Sequence, residues 1–433
     1  MLEYWRENRH RPPEQQVLFA KAFPNKPFLK RDYYLLLSRF AKVVEKFLVW
    51  QTLQQDKRGH YRYLLSALRQ RQQDTLFERS LKQATAVQVS GEDHAPAALH
   101  FVYHLEKEYY DFIASHDRSS TTNLQQASDS LDAYYFAEKL KQACLAHSRQ
   151  LINQEVYDIH MLNAICQEIE ERPKLLQQPA VRVYYACYRA VVLGGTQHDF
   201  QQLRHCISTY KEGFPAQEIR DLYLLAINYC IRALNYGQTT FAQEALQLYE
   251  QSLLQGYLLE DGHLPESTFS NMVSLALKLE RHDWVSSFIK VHTSKLKPAF
   301  QEALPRYAYA KLAYELGDLD QVLRLCATVE ARQPFLYLGI KSLQLKALYE
   351  QQSWDALESL LDSMRVYLQR HADVGYHRQH YQLLIQFTRR LLYLPPNDKT
   401  KRQQLEKAIK EAELFREKAW ILDQLHKRAN KTQ

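Results

Sequence analysis

Glycine is scarce in this sequence, and its scarcity limits the folds that the chain can adopt. Only 11 of the 433 residues are glycine, whereas an ordinary protein has roughly 7%. Tight turns and phosphate-binding loops need glycine because its backbone reaches conformations that other residues avoid. Strand-rich folds with many hairpins and nucleotide-binding folds with glycine-rich loops are therefore disfavoured.

Three further absences narrow the range of functions. The N-terminus lacks the apolar core of a signal peptide, and no apolar run approaches the roughly 20 residues that cross a bilayer. The six cysteines form no C-x-x-C pair, which disfavours a zinc knuckle or a disulfide framework. No Walker-type loop, G-x-S-x-G or H-E-x-x-H motif occurs. We therefore expect a soluble cytoplasmic protein that is not an enzyme and carries no cofactor or metal.

Helical periodicity is what the sequence has in abundance. Apolar residues recur at intervals of three and four along almost the whole chain, which predicts an all-α protein. From residue 173 onward, short polar turns separate the helical segments, and a bulky apolar residue opens each segment that follows a turn. These residues are Phe200, Phe241, Trp284, Leu319 and Trp354. The last two intervals are both 35 residues, which predicts repeated pairs of antiparallel helices with the bulky residues at equivalent interfaces.

One stretch resembles a tetratricopeptide repeat. Between Ala308 and Leu323, small residues precede a Gly317-Asp318 turn, and Pro334 follows the unit. The segment 343–368 is similar but has glutamine at the turn-glycine position, and the resemblance is faint over 173–264. The whole chain is also similar to a group of bacterial helical-repeat proteins. The resemblance implies a right-handed α-solenoid of stacked antiparallel helix pairs.

The distribution of charge and the positions of turns divide the chain into four regions. Residues 1–80 hold 16 Lys and Arg against 8 Asp and Glu. We expect a basic helical N-terminal region over 1–85, a region of long helices over 86–172, degenerate repeats over 173–395 and a capping helix over 396–433. The cap is expected because an array of repeats needs a polar outer face at its end.

The resemblance also implies a binding surface, formed by the first helix of each pair on the concave side of the array. Transferred position by position, the groove residues are Tyr307, Lys311, Tyr314, Glu315, Ser342, Lys346, Tyr349 and Glu350. Two lysines one repeat apart would suit an acidic side chain or a C-terminal carboxylate of a partner. The alternative is that these charges only solvate the face. We therefore expect a scaffold or adaptor that binds another protein or a peptide.

A second function class rests on the basic N-terminal region. Cations interleaved with tyrosines are typical of surfaces that follow phosphates and stack bases. The cations are Lys57, Arg58, Arg62, Arg69 and Arg71. They predict an RNA- or DNA-associated factor, unless they form a solvated helix face.

A metal site is the least favoured of the functions considered. His100, His104 and Glu108 share one face of a predicted helix and could begin such a site. The spacing indicates no fourth ligand, and Phe101 stands where a zincin has glutamate. A solvated or packed helix face is the simpler interpretation, and we predict no metal.

Overall fold

The described chain is helical from end to end. The computed structural model describes residues 14–90, 93–116, 121–153, 155–329, 333–371, 377–395, 398–412, 415 and 417–430. Within these ranges there are 20 α-helices and no strand, apart from an isolated bridge between Glu260 and His263. The all-α prediction is confirmed. The chain divides into two compact units, Met1–Pro215 and Ala216–Gln433.

The described residues of the N-terminal unit form nine α-helices. They are α1 Gln15–Ala22, α2 Lys30–Gln55, α3 Lys57–Gln70, α4 Asp74–Ser90, α5 Pro96–His116, α6 Leu124–Asn153, α7 Leu162–Glu171, α8 Pro179–Cys187 and α9 Gln197–Tyr210. The long helices α5 and α6 pack along one another, and α6 also packs against α8, which contacts α9. A π-helical turn, Tyr188–Val192, follows α8.

Helix α2 is largely exposed despite its apolar content. Its one buried residue is Tyr33, which joins Leu18 and Phe19 in a small cluster at the start of the helix. Farther along, Phe47 and Trp50 are 53% and 57% exposed. The 3.6-residue periodicity correctly predicts a helix here, but burial is confined to its first turns.

Eleven α-helices lie in the part of the C-terminal unit that the structure describes. They are α10 Ala216–Asn235, α11 Phe241–Leu254, α12 Glu266–Lys278, α13 His282–His292, α14 Ala303–Glu315, α15 Leu319–Ala327, α16 Pro334–Glu350, α17 Trp354–Arg370, α18 His377–Leu392, α19 Lys399–Glu411 and α20 Lys418–Asn430. Each of the helices α10 to α19 packs against the next, and α12 and α14 also contact the first helix of the following pair. Neighbouring pairs in this part of the unit therefore pack against each other.

The tight turns inside four successive pairs share one hydrogen-bond pattern. In each of them a backbone N–H bonds to a carbonyl five residues earlier, as at a helix end closed by a left-handed residue. The bonds run from Gln238 to Ala233, Arg281 to Ala276, Asp318 to Ala313 and Ser353 to Leu348. The left-handed residue that precedes each donor is Gly237, Glu280, Gly317 and Gln352, with φ between 56° and 89°.

Equivalent positions in successive helix pairs are found more accurately by counting from these left-handed residues than by counting from the bulky residues that open the segments after the turns. Val285, Val322 and Leu357 each lie five residues after one of the left-handed residues, and all three are fully buried. Trp284 is half-buried and stacks on Phe288, whereas Trp354 is 39% exposed. The expectation that the two tryptophans occupy equivalent interfaces is therefore wrong, because Trp284 is four residues past its turn residue and Trp354 is two.

The predicted single capping helix over 396–433 is also wrong. The described residues of this region form two helices, α19 and α20, with the buried Phe415 between them. Leu405 of α19 and Ile421 of α20 join Phe415 in one core with α16, α17 and α18. The region therefore contributes two packed helices to this core instead of one.

No described helix has both the length and the hydrophobicity needed to cross a bilayer. All six cysteines are free thiols, and five of them are buried.

The turn register predicts opposite effects for two substitutions. Gln352→Gly should raise the free energy of unfolding by about 1 kcal/mol, because glycine adopts φ > 0 without the Cβ strain of glutamine. Gly317→Ala should lower it by about 1 kcal/mol for the same reason, since a Cβ at Gly317 would meet no atom within 4 Å. Urea unfolding followed by circular dichroism measures both. Equal midpoints for the two variants would contradict the shared turn geometry.

Candidate functional site

A groove of about 500 Å³ crosses the first helices of three successive pairs, α12, α14 and α16, and reaches α18 and the residue before α20. We call it the lysine groove. Six of the eight predicted groove positions line it, namely Tyr307, Lys311, Tyr314, Glu315, Ser342 and Lys346. Most of the sequence-derived positions therefore share one groove.

The turn register explains why these side chains meet. Ser274, Lys311 and Lys346 each lie six residues before a left-handed turn residue, so successive helices present them at the same height. Gly339 allows the close approach of α14 and α16, because a Cβ there would lie 2.8 Å from the Tyr307 hydroxyl oxygen. The groove is thus lined by equivalent positions of consecutive pairs.

Lys346 already has a carboxylate partner within the chain. Its Nζ lies 2.5 Å from Oε2 of Glu417, and both side chains are largely buried. The same ammonium lies over the rings of Tyr314 and Trp420, at 5.9 and 5.8 Å from their centroids. Aromatic walls of this kind stabilise a partly desolvated cation. The position of Lys346 is therefore built to hold a carboxylate.

Lys311 is the equivalent lysine one pair earlier, and it has no such partner. Its Nζ donates to the Ser274 hydroxyl at 3.2 Å and lies 4.6 Å from the centroid of the Tyr307 ring. Among the described residues, no carboxylate is within 4 Å of this amine. Burial, and next the charge of Lys346, lowers the pKa of Lys311 to about 8. An anion beside this amine would favour its charged form.

The last two predicted positions, Tyr349 and Glu350, do not line the groove. Oε1 of Glu350 accepts hydrogen bonds from the Tyr314 hydroxyl at 2.5 Å, the Trp420 indole at 2.7 Å and the Gln424 amide at 3.4 Å. Burial and this bond to Glu350 raise the pKa of Tyr314. Tyr349 is buried, with its ring edge-on to Trp354 and Trp420. Glu350 and Tyr349 therefore position the helices that carry the groove.

Sequence reasoning missed several lining residues. The turn residues Glu280 and Gly317 are 37 residues apart, and the same spacing relates Ser274 and Lys278 of α12 to groove residues of α14. The prediction used a spacing of 35 residues and therefore missed both. His380 and Glu417 belong to segments without a repeat signature. Only the fold-back between α19 and α20 brings Glu417 to the groove.

The basic N-terminal residues are partly paired within the chain. Arg58 bonds Asp93 at 2.5 Å, and Arg69 bonds Glu108 at 2.8 Å. Arg62 lies on the ring of Tyr63 and donates to its hydroxyl. Of the remaining cations, Lys57 is exposed and Arg71 donates to the carbonyl of Ala67. Two of the five cations therefore face carboxylates of their own unit.

The two histidines of the metal hypothesis contact each other. Nε2 of His100 lies 3.0 Å from Nε2 of His104, so one ring donates and the other accepts. Burial lowers the pKa of both rings. Glu108, the third candidate, is held by Arg69. The described residues contain no cluster of three or more metal-ligating side chains, here or elsewhere.

The chain matches no protein-family model, no curated protein and no solved structure. A function is therefore inferred from the geometry of the lysine groove.

The lowered pKa of Lys311 predicts a pH dependence of stability. The folded chain releases this proton near pH 8, whereas the unfolded chain holds it to roughly pH 10.4. Since the unfolded state binds more protons in between, the contribution of Lys311 to the free energy of unfolding should rise with pH from about 8 to 10.

Lys311→Met should remove this rise, whereas Lys290→Met, an exposed position on α13, should keep it. Urea unfolding of the three proteins at several pH values across that window measures the difference. An identical pH dependence in the Lys311→Met variant would contradict the assignment.

Proposed function

We propose that the chain is a non-enzymatic adaptor whose lysine groove binds an acidic segment of another protein. One observation carries the proposal: at two equivalent positions, Lys346 holds a carboxylate and Lys311 does not. The contact of Lys346 with Glu417 shows how a lysine of this groove holds a carboxylate. The equivalent place beside Lys311 leaves room for a carboxylate of a partner.

The proposal includes a right-handed solenoid of tetratricopeptide-like pairs. Four identical turns and three equivalent buried positions support a repeating unit. Repeat arrays of this kind commonly bind partners along the surface formed by corresponding helices. The lysine groove lies on such a surface, since α12, α14 and α16 are the first helices of their pairs.

The chemistry of the lining favours an acidic peptide. Lys278, Lys311 and Lys346 contribute three positive charges, against the carboxylates of Glu315 and Glu417. With Lys346 paired to Glu417, a peptide carboxylate beside Lys311 would neutralise a half-buried charge. The rings of Tyr307 and Tyr314 offer apolar walls for the peptide stem, as in many peptide-binding grooves.

The alternative, nucleic-acid binding by the N-terminal 80 residues, has less support. Arg58 and Arg69 already pair with carboxylates, so the phosphate contacts would fall to Lys57, Arg62 and Arg71. Arg62 lines a cavity of about 280 Å³ together with Arg58 and Tyr63, but Lys57 and Arg71 do not belong to that cavity.

A labelled octaglutamate peptide tests the groove directly. Fluorescence polarisation should show binding that weakens with salt, and Lys311→Met should weaken it by about tenfold, while Lys290→Met leaves it unchanged. Tyr349 is unsuitable for this test because it packs in the core. Equal affinity of the two lysine variants, or equal affinity for octaglutamine, would refute the proposal.

Removing the internal carboxylate should have the opposite effect. Glu417→Gln leaves the ammonium of Lys346 without its partner, so octaglutamate should bind more tightly, by about tenfold or less. Glu411→Gln is the control, since Glu411 is an exposed residue at the end of α19. Unchanged or weaker binding by Glu417→Gln would show that Glu417 does not occupy the ligand position.

A further inference from the structure

A second cavity, of about 450 Å³, lies between α17 and α18 and shares no lining residue with the lysine groove. Four arginines line it: Arg365, Arg378, Arg389 and Arg390. We call it the arginine cavity. Neither the repeat resemblance nor the proposed peptide function uses it.

The arginines outnumber their carboxylate partners. Oδ1 of Asp362 lies 2.5 Å from Arg389 and 3.1 Å from Arg365. In the part of the chain that the structure describes, no carboxylate lies within 4 Å of Arg378 or Arg390. Asp362 thus pairs with two of the four guanidinium groups, and the lining itself contains no acidic residue, so the cavity carries a surplus of positive charge.

Arg378 adds an observation that points to a missing acceptor. Its Nε is buried from solvent and has no hydrogen-bond partner among the described residues. Buried polar groups in folded proteins are nearly always hydrogen-bonded, because leaving one unpaired costs free energy. An anion that drew this side chain into the cavity would supply the acceptor.

The uncharged part of the lining, which we call the floor of the cavity, consists of two apolar residues and three glutamines, Gln369, Gln382 and Gln386. The apolar residues are Leu368 of α17 and Ile385 of α18, and each is at least nine-tenths buried. Apolar surface beside a few charged groups is typical of small-molecule sites, and the volume lies in their usual range. A simple inorganic anion would leave this floor uncovered.

We propose that the arginine cavity binds a small organic phosphate, with its phosphate group on Arg378 and Arg390 and its apolar body on Leu368 and Ile385. Arginine suits this role because its planar fork donates two parallel hydrogen bonds to phosphate oxygens. A polynucleotide fits less well, because it needs a track of cations along a surface, whereas these four converge on one cavity.

Phenyl phosphate is a suitable probe, because it joins one phosphate to one apolar ring. Isothermal titration of the full chain at low salt should show phenyl phosphate binding at least about tenfold more tightly than inorganic phosphate. The double variant Arg378→Gln with Arg390→Gln should lose about tenfold in affinity. Arg370→Gln is the matched control, since Arg370 is an exposed arginine of α17 outside the cavity.

Labelling by phenylglyoxal provides a test that needs no variant. Phenyl phosphate should protect Arg378 and Arg390 from modification, detected by peptide mass spectrometry, but should not protect Arg370. Three results would overturn the proposal: no protection at millimolar phenyl phosphate, equal affinity for inorganic phosphate, or a single-stranded oligonucleotide that binds the same arginines more tightly than phenyl phosphate.

Discussion

The backbone bond that closes each helix pair sets the geometry of the C-terminal unit. In each pair a backbone N–H bonds to the carbonyl five residues earlier, and the residue before the donor is left-handed. This bond determines where the first helix ends and the second begins. Counting forward from the left-handed residue gives the buried positions Val285, Val322 and Leu357. Counting back six residues gives Ser274, Lys311 and Lys346. Core and groove are therefore set by the same local constraint.

The lysine groove illustrates how a repeated position acquires different environments. Lys311 and Lys346 occupy equivalent places, yet one contacts a hydroxyl and the other a carboxylate. The difference comes from Glu417, which the fold-back of the C-terminal helices brings to one end of the groove. Partial burial of two neighbouring cations is unfavourable, and a single internal carboxylate offsets it at one position only.

The sequence predicted the helices and much of the groove, because both depend on local patterns. The offset between Lys311 and Lys346 is a property of spacing, and six of the eight groove residues line one surface. The register upstream was harder to predict because Glu280 adopts a left-handed conformation without being glycine. A polar turn without glycine does not show which of its residues adopts the left-handed conformation.

Tertiary placement accounts for the remaining differences. Between α19 and α20 there is no glycine or proline to predict the break that brings Glu417 to Lys346. The four arginines of the second cavity lie on two helices, and only the packing of α17 against α18 unites them. Neither contact can be inferred from residues that are near one another in the chain.

The three hydrogen bonds to one oxygen of Glu350 have a consequence for synthesis of the protein on the ribosome. Two of the donors, Trp420 and Gln424, are made about seventy residues after their acceptor. While they are still inside the exit tunnel, α14 and α16 have emerged with both lysines but without the carboxylate of Glu417. Since Trp420 bonds Glu350 and Glu417 pairs with Lys346, the final geometry of the groove depends on a segment that is made after both lysines.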